Sequence, residues 1–166
     1  MLSPKMLDAL SKHVDAEMYS AHLYLAMSAY CETKAFKGFG RWLRAQHLEE
    51  LEHARKMLDH VLARGGHPTL GAIAAPPREF GTITQVFEAV LAHERRVTES
   101  IHGVYGAAVT EKDAASAIFL QWFVEEQVTE EESAAEIVDK LHMVGDRPGA
   151  ALYLDKEYGK RGKAAT

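Results

Sequence analysis

Hydrophobic residues recur at alternating steps of three and four along most of the chain, the spacing that places them on one face of an α-helix. Glycines and prolines separate these stretches, and no strand-like alternation of useful length is present. The pattern predicts an all-α fold with helices at about residues 5–35, 39–64, 83–109, 111–144 and 150–158. The basic segment at about 160–166 lacks the pattern and is predicted to be disordered.

Turn and capping residues mark the ends of these helices. Thr82 and Gln85 have the spacing of a capping box, which predicts the start of the third helix. Thr110 with Asp113 offers a second cap for the fourth helix. Gly65, followed by another glycine, predicts the end of the second helix.

The lengths of the links predict the topology. Short links join the first helix to the second and the third to the fourth, so each pair should run antiparallel. Residues 66–81 contain several prolines and glycines and are long enough to travel the length of a bundle. We therefore expect a four-helix bundle with one long crossover between the second and third helices, followed by a short fifth helix.

Polar residues interrupt the middle of the apolar face in every long helix. They are Glu17 in the first helix, Glu50 and His53 in the second, Glu94 in the third, and Gln127 and Glu130 in the fourth. Each buried, unpaired carboxylate would cost several kcal/mol, and several carboxylates facing each other would repel. Bound metal ions remove this cost by supplying the opposing charge, so the seams predict a metal site in the core.

The interrupting residues also repeat. A shift of 77 residues places the first hairpin on the second, with Glu17 on Glu94, Glu50 on Gln127 and His53 on Glu130. Each hairpin thus offers one carboxylate from its first helix and an i, i+3 pair from its second. This is the ligand plan of carboxylate bundles that hold two metal ions.

Charge and composition narrow the classes of partner. The chain has 166 residues and a formal net charge of −5, which argues against nucleic acid or anionic lipid as a partner. Its single cysteine, Cys31, cannot form an internal disulfide. With neither a signal pattern at the N-terminus nor an apolar run long enough to span a bilayer, the protein is predicted to be cytoplasmic.

Together these motifs resemble those of the bacterial non-haem ferritins, and the resemblance covers nearly the whole chain. The matching residues are Glu17, Tyr24, the run 49–53, Glu94, the run 119–127 and Glu130. The resemblance implies one ferritin-like domain over residues 1–166, with the crossover and fifth helix described above.

The resemblance also implies a ligand set for iron. One iron would be held by Glu17, Glu50 and His53. Glu50 would bridge to a second iron, which would be held by Glu94 and Glu130. All five residues are present at the positions that the family motif requires.

Further residues take implied roles around these two irons. Gln127 would lie beside the second iron, and Tyr24 would hydrogen-bond a ligand or give up an electron. A weaker third iron site would include Glu49 and Glu126. Thr129 departs from the family pattern, because a glutamate is common there, and its lack of charge should weaken the third site.

Two related groups fit less well. Bacterioferritins place a haem-binding methionine directly after the bridging glutamate, where this chain has Leu51, so no haem is expected. Mini-ferritins build their iron site across a subunit interface, which would leave the internal ligand set unexplained.

Three functions remain open at this stage. The resemblance favours an iron-storage protein that oxidises Fe(II) with O2 or H2O2 and keeps Fe(III) as a mineral inside a homo-oligomeric shell of 24 subunits. The alternative is a di-iron peroxidase or oxidase that protects against oxidative stress with little storage, which Thr129 supports. A non-catalytic helical interaction protein would require apolar residues at positions 17, 50, 53, 94 and 130, where the sequence has none.

Other polar residues receive weaker assignments. Glu111 and Asp113, at the start of the fourth helix, are candidates to line an iron channel between subunits. Seven further histidines have no partner spacing and are expected to be solvated or packed: His13, His22, His60, His67, His93, His102 and His142.

Overall fold

The chain folds into five helices, as seen in a computed structural model that describes residues 1–145 and 147–160. They are α1 (Pro4–Thr33), α2 (Lys37–Ala63), α3 (Ile83–Thr110), α4 (Ala114–Val144) and α5 (Pro148–Tyr158). The described residues contain no strand, which confirms the all-α prediction. Most of the predicted disordered tail, residues 161–166, lies outside the described residues. None of the described helices is long and apolar enough to cross a membrane.

The start of α3 confirms the predicted capping box. Thr82 Oγ1 accepts a hydrogen bond from the Gln85 backbone N–H at 3.3 Å, and Gln85 Oε1 accepts one from the Thr82 N–H at 2.8 Å. These two bonds satisfy backbone donors that have no partner within the helix.

The predicted start of α4 at about residue 111 is wrong. Thr110 is the last residue of α3, and its hydroxyl donates to the Gly106 carbonyl at 2.8 Å instead of capping α4. The tight link uses Lys112 at a positive φ of 54°. Asp113 alone is the N-cap, and it accepts from the Ser116 N–H at 3.1 Å, so α4 begins at Ala114.

Two apolar clusters fill the bundle, one on each side of the predicted polar residues. The Phe87 cluster contains Leu23, Tyr24, Met27, Cys31, Phe39, Trp42, Leu43, Val86, Phe87, Val90, Ala134, Ile137, Val138, Leu141 and Leu154. The Phe123 cluster contains Met6, Leu10, Val14, Ala54, Met57, Val61, Ile101, Val104, Ala108, Leu120 and Phe123.

The order of these clusters along the chain fixes the direction of each helix. α1 and α4 run from the Phe123 cluster to the Phe87 cluster, whereas α2 and α3 run the opposite way. Consecutive helices are therefore antiparallel within each hairpin, and α2 is parallel to α3. Residues 64–82 must span the length of the bundle, which confirms the single long crossover.

Side chains of α1 hold the crossover in place. The Asp15 carboxylate accepts the Gly71 N–H at 2.9 and 3.0 Å. The Tyr30 hydroxyl donates to the Gly81 carbonyl at 2.8 Å, and its ring packs edge-on against Phe80. These bonds satisfy backbone groups that have no helical partner.

The short helix α5 docks on the start of α2. Asp155 Oδ1 accepts the Phe39 N–H at 2.8 Å, and Leu154 is buried in the Phe87 cluster. The approach requires glycine at position 38, because a Cβ there would lie 1.7 Å from the Asp155 carbonyl oxygen. α5 also contacts α4, so it closes one end of the bundle.

Candidate metal centre

The six predicted core ligands all lie between the two apolar clusters. Their exposed fractions are between 1% and 6% for Glu17, Glu50, His53, Glu94, Gln127 and Glu130. The helix directions explain this convergence, because each seam changes from apolar to polar near the middle of its helix. The structure therefore places the residues predicted as ligands in one buried layer, which we call the polar layer.

The tightest group in the polar layer joins α1 to α2. Ligand atoms of Glu17, Glu50 and His53 all lie within 4.8 Å of one another. His53 Nδ1 is 3.3 Å from Glu50 Oε2. Two carboxylates and one imidazole form a donor set that suits iron, and the cluster has the size of a single ion's coordination sphere.

The second half of the layer is tied together by hydrogen bonds. The Tyr24 hydroxyl donates to Glu94 Oε1, and Gln127 Nε2 donates to Glu94 Oε2 at 3.1 Å. Gln46 Nε2 donates to Glu130 Oε2 at 2.7 Å. Gln46 occupies a core position of the α2 seam, but nothing in the amino-acid sequence indicated that it would bond to α4.

Burial makes two of the carboxylates hard to ionise. Burial, followed by the nearby charge of Glu17, raises the pKa of Glu50 well above its ordinary value. Burial also raises the pKa of Glu94, although hydrogen bonds from Tyr24 and Gln127 oppose the shift. Burial and the Glu94 charge raise the pKa of Tyr24 well above 10.0, so this phenol stays protonated and remains a donor.

The pKa of Glu17 shifts in the opposite direction, and a neighbouring histidine contributes to this. Burial is the largest single cause and raises the pKa of Glu17, but the neighbouring His13, together with Glu50 and His53, brings the pKa below its ordinary value. One carboxylate oxygen, Oε2, has no hydrogen-bond partner among the described residues. A buried oxygen without a donor is costly, and a bound cation would satisfy it. The residues present therefore fit a metal ion.

Two buried histidines lie beside the polar layer. The sequence had predicted only that they would be solvated or packed. His13 Nε2 is 2.9 Å from Glu17 Oε1, and His93 Nε2 is 2.7 Å from Ser20 Oγ. Burial lowers the pKa of His93 to about 4, so it is neutral near pH 7. His13 could have been noticed from its i, i+4 spacing to Glu17, which places both residues on one face of α1.

The predicted third-site residues lie outside the polar layer. Glu49 and Glu126 are half-buried and line a surface groove of about 640 Å³ between α2 and α4. The wall of this groove also includes His53 and Trp122. Thr129 is exposed. The groove therefore connects the surface to a residue of the buried cluster.

The two acids suggested as channel residues are both paired with cations. Lys5 Nζ lies 3.4 Å from Glu111 Oε1, and Arg64 Nη1 lies 2.9 Å from Asp113 Oδ1. Asp113 also caps α4. Within this subunit, both acids thus have structural partners that reduce their attraction for a passing cation.

Comparison with known proteins gives consistent matches. The ferritin-like domain family matches residues 7–144. The chain is 40% identical over 161 residues to a bacterial non-heme ferritin of Bacteroides fragilis, covering 97% of this chain and 100% of that protein. A bacterial non-heme ferritin of Staphylococcus saprophyticus is 37% identical, with coverages of 97% and 96%.

Solved structures agree with these sequence matches. An open-pore ferritin from Archaeoglobus fulgidus superimposes with a TM-score of 0.95 and is 47% identical, covering 96% of this chain and 98% of that one. A closed form of the same archaeal ferritin, engineered by mutagenesis, gives a TM-score of 0.94 at 47% identity, with coverages of 96% and 97%.

Proposed function

The chain belongs to the ferritin family, and from that premise we propose that it oxidises Fe(II) in the polar layer and stores the Fe(III) product. The family supports a role in iron storage. The observation that carries the oxidation step is the buried cluster of Glu17, Glu50 and His53, with ligand atoms within 4.8 Å. No ordinary packing need explains these three side chains at the centre of a bundle.

Iron is the substrate of this reaction. Glu17 and His53 bind the first ferrous ion, Glu94 and Glu130 bind the second, and Glu50 lies between the two. Each ferrous ion gives up one electron. The pair therefore reduces one O2, which takes up two protons to form H2O2, or one H2O2, which takes up two protons to form two waters.

The donor set favours the oxidised product. Carboxylate oxygens are hard ligands and bind Fe(III) more tightly than Fe(II). The carboxylates that are costly to ionise in the metal-free protein become counter-charges once iron arrives. Binding therefore stabilises the ionised form of Glu50, the residue whose pKa burial raises most clearly among the ligands.

Neighbouring side chains hold the second pair of ligands. Tyr24 and Gln127 both donate to Glu94, while Gln46 donates to Glu130. These bonds fix the two carboxylates before iron binds, which reduces the rearrangement required during the reaction. Because its hydroxyl contacts the proposed ligand Glu94, Tyr24 is also placed to give an electron to the site.

Storage requires assembly, and we propose a homo-oligomeric shell of 24 subunits in the cytoplasm. α5 presents exposed apolar residues, with Leu152 53% and Tyr153 64% exposed. Such residues at the end of a bundle are available for contacts between subunits. Glu49 and Glu126 in the groove between α2 and α4 form the proposed weaker third site. The proposed function needs no haem.

The test is iron uptake by purified, metal-free protein. Fe(II) is added without oxygen, air is admitted, and the diferric absorbance is followed together with the iron retained per subunit. A fast phase that saturates near two irons per subunit, followed by hundreds more per assembly, supports storage. Oxidation that stops after the first few irons indicates the di-iron peroxidase or oxidase instead.

Two variants test whether iron is oxidised in the buried polar layer or at exposed carboxylates. Glu50→Gln should abolish the fast phase, because it removes the carboxylate between the two proposed iron positions. Glu99→Gln alters an exposed carboxylate of α3, away from the groove, and should leave the fast phase intact. If both variants oxidise iron at the wild-type rate, the polar layer is not the site of oxidation.

A further inference from the structure

His13 is a buried residue beside the polar layer to which the proposed reaction assigns no role. It is 1% exposed, and its ring lies between two polar side chains. Nε2 is 2.9 Å from Glu17 Oε1, and Nδ1 is 3.1 Å from Ser100 Oγ on α3. The ring also packs edge-on towards Phe123, with centroids 6.4 Å apart.

The position of His13 differs from that of a metal ligand. The group of ligand atoms within 4.8 Å consists of Glu17, Glu50 and His53, and it does not include His13. Within the part of the chain that the structure describes, the contact of His13 with this group is the one to Glu17. An imidazole placed in this way acts on a ligand instead of on the metal.

The two oxygens of Glu17 have different surroundings. Oε1 faces His13, whereas Oε2 has no hydrogen-bond partner among the described residues. We infer that His13 is a positioning residue that holds Glu17 by Oε1 and so leaves Oε2 directed to the first iron. The inference rests on the proposed function, since it assumes that Glu17 is a ligand.

The contact with Ser100 suits the form of the ring that this role requires. Where the hydroxyl donates to Nδ1, the ring N–H lies on Nε2, facing Glu17. Nε2 lies 2.9 Å from Glu17 Oε1, but it has no hydrogen-bond partner among the described residues. Such contacts commonly become better aligned when the substrate binds. We therefore expect the contact between His13 and Glu17 to become an aligned hydrogen bond when Glu17 binds the first metal ion.

The test compares two replacements of His13 by their binding of Co(II) under anaerobic conditions. Leucine keeps an apolar side chain in the space but has no donor, whereas glutamine keeps a donor without the ring. His13→Leu should weaken binding of the first Co(II) about 10- to 100-fold, the usual effect of losing a partner of a metal ligand. His13→Gln should restore most of this affinity.

The Co(II) spectrum and a control variant distinguish the loss of ligand positioning from a general destabilisation of the fold. The Co(II) absorption bands should shift in His13→Leu and return in His13→Gln, because they report ligand geometry. His60→Leu removes a half-buried histidine that stacks on Phe119 at the end of α2, away from the layer, and should leave Co(II) affinity unchanged.

Each remaining outcome would contradict the inference in a different way. Wild-type affinity and spectrum in His13→Leu would leave His13 with a packing role only. Equally weak binding in both variants, with altered spectra, would make the imidazole itself a ligand. If the wild-type protein binds no Co(II) or Fe(II), the proposed function fails first, whatever the variants show.

Discussion

Replacing Gly38 by alanine should release α5 from the bundle. An added Cβ would lie 1.7 Å from the Asp155 carbonyl oxygen and 2.5 Å from its carbonyl carbon, where ordinary contact begins at 3.4 Å. Both atoms belong to the backbone, so α5 must move by about 1.7 Å. A movement of that size breaks the 2.8 Å bond from the Phe39 N–H to Asp155.

The expected cost follows from what this movement exposes. A hydrogen bond to a charged carboxylate contributes about 1.5–3 kcal/mol. Leu154 is 7% exposed in the docked helix, and returning it to water costs about 1.5–3 kcal/mol. Complete undocking should therefore lower the free energy of unfolding by about 3–6 kcal/mol. For a chain of this length, 3 kcal/mol lowers the melting temperature by about 6–12 °C.

Hydrogen exchange of the α5 amides and thermal unfolding measure the effect. The amides of α5 should lose protection, while those of α1 to α4 keep theirs. Gly103→Ala is a matched control, because no atom lies within 4 Å of the added Cβ and alanine favours a helix by about 0.5–1 kcal/mol. Unchanged protection of α5 in Gly38→Ala would refute the docking argument.

The same variant tests whether oxidation depends on α5. Gly38 precedes Glu50 by twelve residues of α2, which is about 18 Å along the helix axis. The first phase of iron oxidation should therefore keep its wild-type rate. If α5 contributes to the shell, as proposed, the variant should oxidise iron and retain less of it.

Further predictions concern the polar layer, the groove and the helix caps. The folded-state pKa of Glu50 is raised, so its contribution to the stability of the metal-free protein is full below the ordinary value of 4.5 and is lost as the pH rises through the folded-state pKa. Glu50→Gln should then raise the melting temperature of the metal-free protein at pH 7 and increase its free energy of unfolding by on the order of 1–3 kcal/mol. Glu52→Gln, at an exposed position, should raise neither. Thr129→Glu should add a third tightly bound iron per subunit in an anaerobic Fe(II) titration; a stoichiometry still near two would show that residue 129 does not limit the third site. Thr82→Ala should cost about 1 kcal/mol in thermal unfolding by removing the α3 cap, while Thr110→Ala should cost less, because that hydroxyl caps nothing.

The fold was predictable because its causes are local or depend on loop length. Helical spacing, the capping box at Thr82 and the glycines after α2 act within one or two turns, and the observed helix ends differ from the predicted ones by at most three residues. The start of α4 was mispredicted because Thr110 bonds back into α3. Such a choice between two nearby caps depends on the packing of both helices, which no local pattern records.

The buried positions of the proposed ligands were predictable from the sequence, as was a hydrogen bond from Tyr24 to one of them, but the contacts of Gln46 and of His13 with other helices were not. Carboxylates in an apolar seam are costly enough to be conspicuous in the sequence. Nothing in the sequence indicates the bond of Gln46 to Glu130 on α4. The i, i+4 spacing of His13 indicates its contact with Glu17, but not its second contact, with Ser100 on α3. Ser100 is 87 residues from His13, and Glu130 is 84 residues from Gln46. Only the packed bundle brings these pairs together.

The position of the polar layer between two apolar clusters explains how one bundle tolerates so many buried carboxylates. The Phe87 and Phe123 clusters fix all four long helices on both sides, so the carboxylates cannot move apart when they repel. Hydrogen bonds from Tyr24, Gln127 and Gln46 satisfy some of the oxygens. Glu17 Oε2 has no such partner among the described residues, so part of the cost persists until a cation arrives. Under the function proposed above, iron would stabilise this geometry, and the stability lost in the layer would contribute to the affinity for iron.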